Sequence, residues 1–165
     1  MSVSAESDLT GRVEAAFLAN ERQLGRFLVA MVRDRALAED LLQETFVAAF
    51  NARGKAASVE NVDAWLFGIA RHRALASLRR TRRMRRAVGR LWERRDDPPA
   101  APDPAGEVID VLDRVLSPDD RSLVVLRYVH DLDSTELAAL TGRSAVAIRK
   151  RLERACARLA REIER

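Results

Sequence analysis

Over residues 11–32 the apolar side chains Val13, Phe17, Leu24, Phe27, Leu28 and Met31 recur at steps of three, four and seven. That spacing puts them on one face of an α-helix, with a break expected near Asn20 or Gly25. A second helix is predicted over 36–50. Leu37, Leu41, Leu42, Thr45, Phe46 and Ala49 form its apolar stripe, and Glu39, Asp40, Gln43 and Glu44 lie largely off it. Residues 51–61 contain Gly54 and Ser58 and lose the period, so they read as a loop. A third helix is predicted from 62 to 80 or beyond, with Trp65, Leu66, Ile69, Leu75 and Leu78 turned inward and Asn61 as its cap.

The segment RRDDPPAAPDPAGE, residues 94–107, holds four of the chain's five prolines. Proline lacks the amide donor and fixes φ, so no long helix is expected to cross it. It reads as a linker, semi-extended where prolines are dense. Helical signals resume at 108–116. Ser117 followed by Pro118, Asp119 and Asp120 marks a helix start: a capping hydroxyl, a first-turn proline, then acids at the positive end of the helix dipole. That helix is predicted to reach about 129. A turn follows at 130–133, and a short helix opens at Ser134 and runs to Leu140. A tight turn at 141–143 leads to a last helix opened by Ser144. The expected fold class is all-α: two small helical domains of about four helices each, 1–93 and 108–165, joined by a Pro-rich linker at 94–107.

Charge changes this picture from a fold to a function. The 165 residues carry a net charge of only +4, but the signs are segregated. Across 71–95 Glu93 is the only acid, across 96–120 Arg114 is the only base, and 143–165 is basic again. Two separate basic stretches point to two contacts with a polyanion. Solvated helix faces are the plainer alternative, but such faces normally mix signs. Cys156 is alone, which excludes an intrachain disulfide and a cysteine-clustered zinc site. Ser77 has no catalytic partner in the pattern, and no phosphate loop or metal cluster is visible. Neither enzymatic activity nor a cofactor is therefore expected. The N-terminus lacks the basic start and apolar run of a signal peptide. No stretch approaches the ~18 apolar residues of a membrane span. A cytoplasmic protein without membrane insertion is expected, and no further regulatory domain after the second helical one.

Leu137, Ala138 and Leu140, then Gly142, then Val146, Ile148 and Leu152 describe a short helix, a tight turn and a longer helix. This is a helix-turn-helix pattern. Its second helix is expected to expose Arg143, Ala145, Arg149, Lys150, Arg151 and Arg154, with Ser144 at its start. Such a helix fits the major groove, where Arg or Lys bonds guanine and neighbouring bases grip phosphate. By pattern alone, a helical hairpin with a basic outer face remains an alternative.

The stretch LSPDDRSLVVLRYVHDLDSTELAALTGRSAVAIRKRLERACARL, residues 116–159, resembles the promoter-reading C-terminal domain of extracytoplasmic-function sigma factors. Leu116, Pro118, Arg127-Tyr128, Glu136-Leu137-Ala138, Gly142, the bases 149–151 and Leu152 fall where the family pattern has them. In the first half, AEDLLQETFVAAF resembles the family's helix that docks on the polymerase clamp helices, with Glu39, Asp40, Gln43 and Glu44 at the matching polar positions. VDAWLFGIARHRALASLRRTRR resembles the helix that reads and opens the minus-ten element, through Trp65, Ile69-Ala70-Arg71 and Leu78-Arg79-Arg80. Family members often carry Asn where this chain has His72 and Asp where it has Ala76. Those departures bear on base preference. Trp65 reads as a core residue.

The resemblance covers about 13–83 and 116–159. It implies a sigma factor of the sigma-70 family that binds core RNA polymerase through the largest-subunit clamp helices and the flap. It implies minus-thirty-five recognition by Arg143, Ser144, Ala145, Arg149, Lys150, Arg151 and Arg154. Minus-ten contacts would come from Arg71, His72, Arg79 and Arg80, with Arg53, Lys55, Ser58 and Asn61 around an extruded base. Promoter DNA and an anti-sigma factor are the implied partners, with the chain a monomer when free. Two other readings are a helix-turn-helix regulator that never joins polymerase and a helical adaptor that binds no nucleic acid. The acidic helix argues against the first and the segregated arginines against the second.

Overall fold

In the computed structural model, which describes residues 3–89 and 104–165, α1 (Val3–Val32) is one helix of 30 residues. The expected break at Asn20 or Gly25 is absent. The Asn20 amide donates to the Ala16 carbonyl at 2.8 Å and to Asp63 at 2.9 Å, so its polar group is satisfied without leaving the helix. Arg33, in the left-handed region at φ 61°, turns the chain into α2 (Arg35–Asn51). Asp34 caps α2 by accepting from the Leu37 amide at 3.0 Å.

Within the predicted loop lies a four-residue helix, α3 (Arg53–Ala56), with Ala56 buried against the bundle. Asn61 then caps α4 (Val62–Val88), its side chain accepting from the Ala64 amide at 3.0 Å, as the sequence predicted. Helices α1, α2 and α4 bury Leu24, Phe27, Leu28, Met31, Leu41, Leu66 and Phe67 against one another. Removing a large aliphatic or aromatic side chain of this kind from water contributes about 1.5–3 kcal/mol.

The second half begins earlier than expected, with α5 (Pro104–Val115) starting inside the segment read as linker. A proline is tolerated at a helix's first turn, where its missing amide has no partner to lose. Residues 94–103 of that expected linker lie outside the described residues. Ser117 caps α6 (Pro118–Tyr128) and Ser144 caps α8 (Ala145–Ile163), both as predicted. Between them α7 (Ser134–Thr141) is capped by Asp133, one residue before the predicted opening. Asp133 accepts from the Thr135 and Glu136 amides, and Glu136 reaches back to the Asp133 amide.

The described residues form helices alone, four in each half. The halves also meet. Helix α6 is buried without interruption from Asp120 to Leu126 because it packs on α1 and α4 as well as on α5, α7 and α8. Gly68 of α4 faces Leu140 of α7 so closely that a Cβ there would stand 3.0 Å from the leucine Cβ. Arg121, fully buried, donates to the Met31 carbonyl at 2.8 Å and pairs with Asp113, tying α6 to the end of α1.

Candidate nucleic-acid and protein interfaces

Glu39, Asp40, Gln43 and Glu44 are all exposed on the outer face of α2. Asp40, Gln43 and Glu44 line a shallow depression with Val47 and with Arg73 of α4. Val47 is 55% exposed, so an apolar group sits among the acids. Charge beside exposed apolar area is a combination suited to contact with another protein.

The expected base pocket is partly occupied by its own chain. Arg53 pairs with Glu6 at 2.7 Å, donates to the Phe50 carbonyl and lies over the Phe50 ring at 4.8 Å. Asn61, besides capping α4, donates to Glu136 of α7 at 2.5 Å. Lys55 and Ser58 remain exposed, the serine hydroxyl donating to the Lys55 carbonyl. Arg12, which the sequence did not single out, fixes this segment on α1 by donating to the Ala56 and Val59 carbonyls.

On α4 the expected minus-ten residues divide. His72, Arg79 and Arg80 are exposed, and every residue from Arg79 to Gly89 is solvent-facing, so the last turns form a basic rod. Arg71 is turned inward. Its guanidinium donates to the Ser122 hydroxyl at 2.8 Å and pairs with Asp119. Burial pulls Arg71 below the ordinary arginine value, and the Asp119 carboxylate opposes that pull.

In the helix-turn-helix, Leu137, Ile148 and Leu152 form the internal contact between α7 and α8. Gly142 ends α7 at φ 70°, donating its amide to the Ala138 carbonyl at 3.0 Å. A side chain at that φ is strained, so glycine fits the turn. Helix α8 exposes Arg149, Lys150 and Arg154, as expected, with Ser144 exposed at the cap and Ala145 half-buried. Arg151 departs from the expectation. Only 24% of its side chain is exposed, because it reaches under the helix to Asp120 at 2.5 Å and to Asp119. Arg143 is exposed but pairs with Asp119 at 3.2 Å.

Burial would raise the Asp120 carboxyl, but hydrogen bonds from Arg151 and Arg158 outweigh it and hold that group below its usual range. Sequence reading assigned Asp119 and Asp120 only to the helix dipole. Their arginine partners lie as far as 48 positions away, and no local pattern announces them.

A helix-turn-helix with a basic outer face is thus joined to a helical bundle whose α2 carries an exposed acidic face. Residues 16–84 match the family described as Sigma-70 region 2, and residues 109–159 match Sigma-70, region 4. The chain is 35% identical over 146 residues to the RNA polymerase sigma factor CarQ of Myxococcus xanthus, covering 86% of this chain and 83% of that one. It is 30% identical over 138 residues to the ECF RNA polymerase sigma factor SigM of Bacillus subtilis strain 168, covering 81% and 84%. Its structure is similar to that of the sigma factor RpoE, solved in complex with the anti-sigma factor NepR from Bartonella quintana. That likeness has a TM-score of 0.72 at 27% identity over 92% of this chain and 96% of that one. The chain belongs to the sigma-70 family, among its extracytoplasmic-function RNA polymerase sigma factors. The reading as a regulator independent of polymerase is not favoured, since residues 16–84 of the first half match Sigma-70 region 2.

Proposed function

We propose that this sigma factor docks on the polymerase clamp helices through Glu39, Asp40, Gln43 and Glu44, and on the flap through its second half. The face of α8 bearing Arg149, Lys150 and Arg154 reads the minus-thirty-five element, with Arg143, Ser144, Ala145 and Arg151 beside it. The exposed end of α4, with His72, Arg79 and Arg80, engages the minus-ten element, joined by Arg71 once it is freed from Asp119. The segment bearing Arg53, Lys55, Ser58 and Asn61 receives the extruded base. The chain has no catalytic residues of its own, works in the cytoplasm and is a monomer when free. No helix among the described residues is long and apolar enough to cross a membrane. An anti-sigma factor is a partner, a reading supported by the likeness to RpoE bound to NepR.

The observation that carries this reading is the separation of one acidic and two basic exposed faces on a chain that matches both sigma regions. Opening duplex costs roughly 1.4 kcal/mol per base-pair step, more than a small helical domain with few aromatics repays alone. The purified protein should therefore bind DNA weakly and give no permanganate-reactive thymines. Adding core polymerase should give promoter-specific initiation and reactive thymines near the start site, and Arg79→Ala with Arg80→Ala should reduce opening more than core binding. Tight duplex binding alone, with no initiation from any promoter in a genome-derived library, would overturn the assignment.

A further inference from the structure

We propose that Val146 and Glu153 are base-reading residues of α8: Val146 takes the 5-methyl group of a thymine, and Glu153 accepts a hydrogen bond from the amino group of a cytosine. The inference rests on the reading of α8 as the helix that enters the upstream element. It adds to that reading the two side chains of the exposed face that suit phosphate least.

Helix α8 buries Ile148, Leu152 and Ala155. Away from that face, Val146 is exposed, and so are Arg149, Lys150 and Glu153, which lie three, four and seven positions after it. Residues at those spacings share one side of a helix, so the four form an outward strip that begins in the first turn. The sequence pattern puts Val146 with Ile148 and Leu152, but the valine is 53% exposed. It stands two residues after the Ser144 cap, at the end of a recognition helix that meets base edges.

A surface built only to grip phosphate has a use for Arg149 and Lys150 and none for their two neighbours. An isopropyl group gains nothing from phosphate, and a carboxylate repels it. Among the described residues Glu153 has no ion pair, although Arg149 and Lys150 stand one turn before it. It therefore does not serve to steady a neighbouring cation. Base edges in the major groove give each group a partner. The thymine methyl offers apolar contact, and the cytosine amino group donates to a carboxylate. Adenine carries an amino group there too, but its N7 acceptor sits beside it and repels a carboxylate. Seven residues of helix span about 10 Å, which is about three base pairs at ~3.4 Å each. The upstream element should therefore hold a thymine and a cytosine about three base pairs apart, with the base pair read by Arg149 close to both.

The test uses the full-length chain with core polymerase, and an upstream element that the wild-type holoenzyme selects from a random-sequence library. Replacing each thymine of that element in turn by deoxyuracil removes only the methyl group. At one position this should weaken wild-type binding about fourfold, as loss of one buried carbon does. Val146→Ala should bind thymine and deoxyuracil there equally. Glu153→Ala should lose about tenfold of discrimination for cytosine at one base pair. It should also bind a non-promoter duplex more tightly, because a charge that repels phosphate is gone. Glu153→Gln should move the preference at that pair to adenine, whose edge matches a side-chain amide. Both side chains are exposed, so all three variants should melt as the wild type does. The same deoxyuracil response in wild type and Val146→Ala would overturn the valine's role. A gain by Glu153→Ala that is uniform over all single-base variants would overturn the glutamate's. A wild-type holoenzyme that selects no upstream element would instead sink the reading of α8 on which both roles rest.

Discussion

Arg149 and Arg151 sit two positions apart on α8 and live in different environments. Arg149 is exposed on the outer face, while Arg151 is half-buried on Asp119 and Asp120. Sequence could place both on a basic helix but could not separate them, because the carboxylates that capture Arg151 lie about thirty residues upstream. The distinction predicts different phenotypes. Arg149→Ala should cost about 1–3 kcal/mol of discrimination at one base pair of the upstream element, as loss of a base-edge contact does. Arg151→Ala should weaken all sequences about equally and flatten the salt slope. Equilibrium binding of holoenzyme to a panel of single-base promoter variants measures both. Equal, sequence-independent losses would remove Arg149 from direct readout. Cys156, also on α8, is half-buried, its thiol 3.6 Å from the Tyr128 hydroxyl.

At the scale of elements, most of the fold was legible. Three predicted caps, Asn61, Ser117 and Ser144, each accept the amide three residues on, since a side-chain oxygen before an apolar period is a local signal. What was missed was also local but carried weaker signals. The short α3 has Gly54 and Lys55 inside it and forms because Ala56 buries and Arg12 holds its end. The early start of α5 hides behind the prolines that precede it. Helix α2 offers the sharpest functional test. Asp40 and Glu44 are four apart, exposed, and line the same depression. Reversing both to Lys should abolish core polymerase binding. Helicity should be retained and stability should change by no more than ~0.5 kcal/mol, as for surface substitutions generally. Gel filtration with core polymerase and thermal melting together decide it. A double mutant that forms holoenzyme with wild-type affinity would show that the docking face lies elsewhere.

At the scale of the whole molecule, the contact between the halves was not legible. The sequence announced two sets of helices and a Pro-rich break, and nothing in either period says that α6 is covered on both sides. Its seven-residue buried run, including Asp120 and Arg121, defeats amphipathic reading because one face meets the first half and the other the second. His130 marks that contact. It lies between α6 and α7, its ring 4.8 Å from Phe67 and 6.0 Å from Phe27, with Nε2 buried and unpartnered. Burial lowers its pKa from 6.5, Arg26 of α1 lowers it further and Asp131 of its own turn raises it, while the Phe67 ring of α4 packs beside it. The sign follows from linkage. Above about pH 6.5 the imidazole is neutral in both folded and unfolded chains and contributes no pH dependence. Below it the unfolded chain takes up the proton first, so stability falls as pH drops towards the lowered folded value, by at most about 1.4 kcal/mol per pH unit. The chain's other histidine, His72, is exposed on α4, away from this contact. His130→Leu keeps an apolar wedge and removes the titration. Denaturant unfolding at pH 7.5 and pH 5.5 should show the wild type losing more stability than the variant over that interval. Equal losses would mean that the proton reaches His130 without disturbing the fold.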